Sequence, residues 1–137
     1  MVGSNIHYEM SEKVGAISCG GIGAFHQLVK RVGLDKEIDN NLELLKRHLP
    51  YHESDHVLNI VYNVLVGGMR LEDIELRRND ENFLNSLGAD RIPDPTTAGD
   101  FTRRFCPDDI ETLMECINVS RQRVWGKSFK ELEEALY

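Results

Sequence analysis

The chain has 137 residues, of which 41% are hydrophobic and 28% are charged. This length and composition suit one globular domain that is large enough to bury a core. Its 16 basic and 23 acidic residues give a net charge of −7, which excludes a protein that coats DNA through an overall excess of cations.

Targeting and redox signals are also absent from the sequence. No apolar run approaches the roughly 20 residues needed to cross a bilayer, and the first ten residues lack the basic and apolar regions of a signal peptide. The three cysteines, Cys19, Cys106 and Cys116, form no CxxC pair. We therefore expect reduced thiols in a cytoplasmic protein that has no contact with a membrane.

Helical periodicity begins after a glycine-rich turn. Residues 1–20 are interpreted as an N-terminal extension, in which 6–19 could form one or two short strands. Apolar residues then recur at three- and four-residue spacing from Ile22 to Val32, which predicts a helix that ends at Gly33. The same spacing predicts a second helix over 34–49, with Lys46, Arg47 and His48 in its last turn.

The middle of the chain predicts one long helix and several short elements. Residues 55–66 are apolar on most of the helical surface, which is typical of a central, buried helix. Two short helices, or one broken helix, are expected over 71–78 and 81–87. Residues 89–95 contain two prolines and should be extended or turning.

Two more helices complete the predicted fold. Thr96 or Thr97 is the expected N-cap of a short helix over 97–105. A long helix should start near Pro107, with a core stripe formed by Ile110, Leu113, Met114 and Ile117. The predicted fold is thus all-α, a compact bundle of about five to six helices over 21–126, and 127–137 would begin a linker.

One motif would suggest a metalloenzyme. Residues 52–56 read HESDH, a match to the HExxH pattern in which two histidines one helical turn apart bind zinc. Ser54 or Asp55 is the better N-cap, so His52 should precede the helix and the two imidazoles need not converge. We therefore reject the zinc site and assign no metal and no cofactor.

Neighbouring carboxylates such as those of Asp108 and Asp109 point about 100° apart on a helix, so no catalytic acid–base pair is assigned either.

The segment 73–105 has the outline of a helix-turn-helix, in which a second helix can enter a major groove. Its arginines and threonines could contact phosphates and base edges, and a second basic segment, 121–130, carries no acid. Residues 70–104 nevertheless contain six basic and eight acidic residues, so the alternative is that the arginines pair with acids on solvated faces. The DNA-binding candidates are Arg77, Arg78, Arg91, Thr96, Thr97, Thr102, Arg103, Arg104, Arg121, Arg123 and Lys127.

Several runs resemble one protein family. They read YHESDHVL at 51–58, GG at 67–68, LEDIELRRND at 71–80, LGA at 87–89, IPDPTTAGDF at 92–101 and RRF at 103–105. Together they resemble the N-terminal region of the DDE transposases of bacterial insertion sequences, the group named transposase DDE domain group one. The likeness extends more loosely over residues 25–49 and down to Trp125.

The resemblance implies that this chain is one region of a larger protein, separate from its catalytic domain. In that family a helical N-terminal region precedes a catalytic domain whose three carboxylates hold two Mg²⁺ ions. The first of those aspartates is expected beyond Tyr137, so no acid of this chain receives a catalytic role. The chain is then expected to be a non-catalytic fragment that recognises DNA at the terminal inverted repeats of the transposon. The alternative is an acidic assembly module that forms a homodimer, or joins the full-length transposase, without contacting DNA.

Overall fold

The computed structural model of the chain describes residues 19–48 and 50–136, with side chains as far as Gly126. These residues form seven α-helices and one short 3₁₀ turn, Leu71–Asp73. In chain order the helices are α1 (Ile22–Val32), α2 (Leu34–Asn41), α3 (Glu53–Leu65), α4 (Ile74–Arg78), α5 (Glu81–Leu87), α6 (Pro95–Thr102) and α7 (Pro107–Leu136).

Two groups of buried side chains hold the helices together. The larger group joins α1, α3, α4 and α5, with Tyr62 and Phe83 as its bulkiest members. The smaller group joins α2, α6 and α7 through Ile38, Leu42, Phe101 and Cys116. Burial of apolar surface on this scale is the main driving force for an all-α bundle, so the predicted fold class is confirmed.

The second helix is shorter than predicted. It ends at Asn41, where Leu42 turns to an extended conformation, and residues 42–48 are not helical. The physical reason is a competing acceptor. The backbone N–H groups of Leu44 and Leu45 donate to the carboxylate of Glu53 and so are not available to continue the helical ladder.

The central helix α3 is buried on one side and is not buried all round as predicted. Its buried side is largely polar and includes Glu53, Asn59 and Asn63, whereas Val64 and Leu65 are exposed. The buried amides bond to loop carbonyls: Nδ2 of Asn59 donates to Pro93 O at 3.0 Å, and Nδ2 of Asn63 donates to Arg70 O at 2.9 Å. The expected all-round apolar burial is therefore wrong, because α3 organises loops as well as helices.

The predicted core stripe of α7 is wrong at three of its four positions, since only Leu113 packs against the core. Ile110, Met114 and Ile117 are between 48% and 61% exposed, whereas Cys116 and Ser120 are buried against the bundle. Since α7 packs on α1 and α2, the side that faces them is the one that becomes buried. The apolar stripe lies about a third of a turn away around the helix axis.

Three further expectations concern the ends of the chain and the membrane. The short strands expected over 6–19 lie almost wholly outside the described residues. The helix α7 continues to Leu136 and so passes without a break through the boundary predicted between 126 and 127. Within the described part of the chain, no helix combines the length and apolarity required to span a bilayer.

Candidate nucleic-acid interface

The predicted recognition helix is α6, and its N-cap is Asp94. The carboxylate of Asp94 accepts hydrogen bonds from the backbone N–H and the hydroxyl of Thr97, both at 2.8 Å, and Pro95 occupies the first helical position. The expected threonine cap is therefore wrong, because Asp94 offers the stronger acceptor to the free N–H groups of the first turn. The same hydrogen bonds lower the pKa of Asp94.

The threonines of α6 differ in availability. The hydroxyl of Thr97 is engaged by Asp94, and that of Thr102 donates to Gly99 O at 2.8 Å. Thr96 is exposed on the first turn. Of the three threonine candidates, Thr96 has the hydroxyl best placed to meet a ligand.

Only the first turn of the predicted supporting helix packs against α6. The helix α6 packs against α3 and against the 3₁₀ turn Leu71–Asp73, which is the first turn of the element predicted over 71–78. The rest of that element is α4, which bears Arg77 and Arg78 and packs against the 3₁₀ turn, α3 and α5. A helix-turn-helix would need α4 to support α6 directly. The two predicted elements therefore meet through the 3₁₀ turn, and the arginine-bearing helix α4 itself is not the main support of α6.

Two candidate arginines form exposed ion pairs. Arg103 Nη1 lies 2.5 Å from Asp100 Oδ1, and Arg78 Nη1 lies 2.8 Å from Glu75 Oε2. Exposed pairs of this kind contribute little to stability, about 0–1 kcal/mol. Both guanidinium groups can therefore exchange their carboxylate partner for a phosphate at small cost.

Two other arginines bond to backbone carbonyls. Arg77 Nη2 donates to Val66 O at 3.3 Å from a partly buried position, so this side chain serves the fold. Arg104 Nη1 donates to Leu44 O at 3.2 Å and remains exposed. This second bond joins the end of α6 to the loop that follows α2.

The loop after α2 contributes cations that the sequence analysis assigned to a helix end. Lys46 and Arg47 are exposed and form no ion pair with the described residues. The bond from Arg104 to Leu44 brings the loop that bears them to the end of α6. We call Lys46, Arg47, Arg103 and Arg104 the basic edge. The run KRH at 46–48 is the sequence signal for this surface, and the prediction that these residues end a helix is wrong, because they lie in a loop.

Glu53 holds the loop of the basic edge in place. Its Oε1 accepts from Leu44 N at 3.1 Å and Leu45 N at 3.0 Å, and its Oε2 lies 3.1 Å from His48 Nδ1. Burial alone would raise the pKa of Glu53, but these donors outweigh it and lower the pKa below its ordinary value. The ionised carboxylate therefore connects the loop to α3 through these hydrogen bonds.

The remaining candidates lie elsewhere. Arg78 and Arg91 are both within electrostatic reach of the half-buried Tyr51, whose pKa is raised mainly by burial. On α7, Arg121 lies over the Trp125 ring at 5.3 Å, and Arg123 bonds to Val32 O and Glu37. The side chain of Lys127 is outside the described residues. The structure therefore does not bring all the candidates onto one surface.

The HExxH residues have separate environments. His52 is exposed and immediately precedes α3, as expected, but the predicted N-cap is wrong: His52 itself is the N-cap, and Ser54 and Asp55 lie in the first turn. His56 is buried and stacked on Phe101, with ring centroids 4.6 Å apart. Burial lowers the pKa of His56. Among the described residues, no group of three or more histidine, cysteine or acidic side chains is arranged to hold a metal ion.

Comparisons with protein-family models, with curated proteins and with solved structures find no match to this chain.

Proposed function

We propose that this chain is a DNA-binding helical module of a DDE transposase, which recognises transposon ends and performs no catalytic step itself. Two independent lines support the proposal. The runs over 51–105 resemble the N-terminal region of that transposase family, and the basic edge joins cations from two segments that are about 60 residues apart in the chain.

The observation that carries the proposal is the bond from Arg104 to Leu44 O. It brings the loop that bears Lys46 and Arg47, which form no ion pair with any described residue, to the end of α6, where Arg103 is only weakly paired. A local cluster of this kind can neutralise phosphates even when the whole chain is acidic. Thr96, on the first turn of α6, is available for polar contacts with DNA.

The test is selection from a randomised DNA duplex pool by the purified chain at low salt, followed by a salt titration of fluorescence anisotropy. The titration uses the selected duplex and a scrambled duplex of the same composition. Paired alanine variants of Lys46 and Arg47, or of Arg103 and Arg104, should each reduce the magnitude of the salt slope by roughly two units, since each phosphate contact contributes about 0.9. Lys36→Ala, an exposed cation outside the basic edge, is the matched control.

The outcomes distinguish phosphate contacts, base contacts and the absence of DNA binding. Equal weakening on both duplexes indicates phosphate contacts, and greater weakening on the selected duplex indicates contacts with base edges. Absence of enrichment, together with no binding at low salt, contradicts the proposal.

A second candidate function is assembly without DNA contact. The net charge of −7 and the exposed apolar stripe on α7 favour it. Sedimentation in the absence of DNA distinguishes the two functions, because a dimer that does not bind DNA supports assembly and a DNA-binding monomer supports recognition.

A further inference from the structure

The helix α7 carries an apolar stripe that the rest of the described chain leaves uncovered. Ile110, Met114, Ile117 and Val124 are 51%, 61%, 48% and 44% exposed. With Arg121 included, the spacing is four, three, four and three residues, which is the repeat of a helix–helix seam. Contacts with α1 and α2 occupy the side of α7 about a third of a turn away, so among the described residues nothing prevents the stripe from meeting another helix.

We propose that the stripe binds the same stripe of a second copy of this chain, with the two α7 helices antiparallel and Ile117 at the two-fold axis. A seam centred on Ile117 sets Ile110 of one copy level with Val124 of the other. Self-complementary contact through one surface is the rule for two-fold dimers.

The distribution of charge along α7 selects the antiparallel direction. Glu111 and Glu115 are exposed beside the first half of the stripe, and Arg121 occupies the seam in the second half. An antiparallel pair brings Arg121 of each copy between the two glutamates of the other. In a parallel pair, Arg121 of one copy would instead meet Arg121 of the other, and the glutamates of one copy would meet the same glutamates of the other. Like charges in contact are unfavourable.

The length of the stripe limits the strength of the dimer. From Ile110 to Trp125 it extends about 23 Å at 1.5 Å per residue, and the next seam positions, 128 and 131, are serine and glutamate in the sequence. A contact of this size falls at the low end of specific interfaces. We therefore expect a concentration-dependent dimer that dissociates on dilution.

Sedimentation equilibrium of the full chain, without DNA, measures the association directly. Ile117→Asp should weaken the dimer by at least roughly tenfold, because it places two unpaired carboxylates at the axis. Val64→Asp, which introduces the same charge at a 63% exposed position on α3, is the matched control and should not weaken it. Circular dichroism of both variants checks that the helices remain folded.

Charge exchange tests the direction. Arg121→Glu should weaken the dimer, and combining it with Glu111→Arg and Glu115→Arg should restore it. A second readout is disulfide formation in a Cys19→Ser, Cys106→Ser background, which keeps the buried Cys116. The cysteines of Ile117→Cys in the two copies should cross-link with each other. Those of Ile110→Cys alone should not, since position 110 of one copy lies about 21 Å along the axis from position 110 of the other. Ile110→Cys combined with Val124→Cys should cross-link.

Three results would overturn the inference. A monomer at every concentration, or a dimer that Ile117→Asp leaves unchanged, rules out this surface. A cross-link between the Ile110→Cys residues of the two copies rules out the antiparallel direction. None of these results depends on DNA binding, so the proposed function and the dimer can fail separately.

Discussion

The imidazole of His26 and the hydroxyl of Tyr62 lie 2.8 Å apart and join α1 to α3 inside the bundle. Both side chains are buried, and their rings meet edge to face. Burial raises the pKa of Tyr62 and lowers that of His26, so both groups are neutral at physiological pH. A neutral hydrogen bond in this position links the two helices without burying a charge.

Removal of the Tyr62 hydroxyl should destabilise the fold. Tyr62→Phe leaves the Nδ1 of His26 buried without its partner, at an expected cost of about 1–3 kcal/mol in the free energy of unfolding. Urea denaturation followed by circular dichroism measures the change. Tyr51→Phe is the control, because the Tyr51 ring is half-buried and its hydroxyl bonds to no described residue. An equal loss in both variants would contradict the assigned role of the bond.

Stability should decline as the pH falls below the ordinary histidine pKa of 6.5. Burial lowers the pKa values of His26 and His56 in the folded chain, so the unfolded chain takes up protons first as the pH decreases. Their contribution is therefore complete above about pH 6.5 and is lost progressively toward the lowered values.

A substitution at His56 isolates part of this effect. His56→Phe keeps a ring stacked on Phe101 but cannot be protonated. The loss of unfolding free energy between pH 7 and pH 5, measured by urea denaturation at each pH, should be smaller than in the parent chain. An unchanged loss would show that His56 does not contribute to the acid sensitivity.

Glu53→Gln should affect both stability and the basic edge. The neutral amide is a weaker acceptor for Leu44 N and Leu45 N, and hydrogen bonds to a charged group contribute about 1.5–3 kcal/mol. We expect a loss of about 2 kcal/mol and weaker binding of a selected DNA duplex at constant salt. Glu72→Gln, an exposed acid in the 3₁₀ turn, controls for the change of charge. The stability of the parent chain should itself fall at acidic pH, as Glu53 is protonated below its lowered pKa.

Gly33 should not tolerate alanine. Its φ of 72° lies in the left-handed region, and an added Cβ would sit 3.1 Å from Nη1 of Arg123. Gly33→Ala should cost about 1 kcal/mol or more in unfolding free energy. Gly21→Ala, where φ is −78° and no atom lies within 4 Å of the added Cβ, should be neutral or slightly stabilising. Thermal denaturation of both variants tests the difference, and similar behaviour of the two would contradict it.

Local rules predicted the ends of several helices. Gly33 ends α1 and Pro107 begins α7, because these residues act through their own backbone preferences. The N-cap of α6 was also within reach, since Pro95 at the first helical position points to Asp94. The prediction of a threonine cap instead puts the helix start too late.

Packing faces and the loop of the basic edge could not be predicted in the same way. The sequence indicates one apolar side of α7, but the side that is buried depends on which helices lie beside it. The role of Glu53 depends on a loop that folds back on α3 and places Leu44 and Leu45 at its carboxylate. Contacts of this kind join distant parts of the chain, and they leave no periodic signal in the residues that make them.

The guanidinium of Arg123 has a consequence for any anion that reaches α7. It bonds at once to Val32 O and to Glu37, and so fastens the last helix to α1 and α2. A phosphate that recruited this side chain would have to break both bonds. Anion binding at Arg123 therefore weakens the attachment of α7 to α1 and α2, and a firm attachment equally weakens anion binding. A bound anion would speed hydrogen exchange in the first helical turns after Arg123.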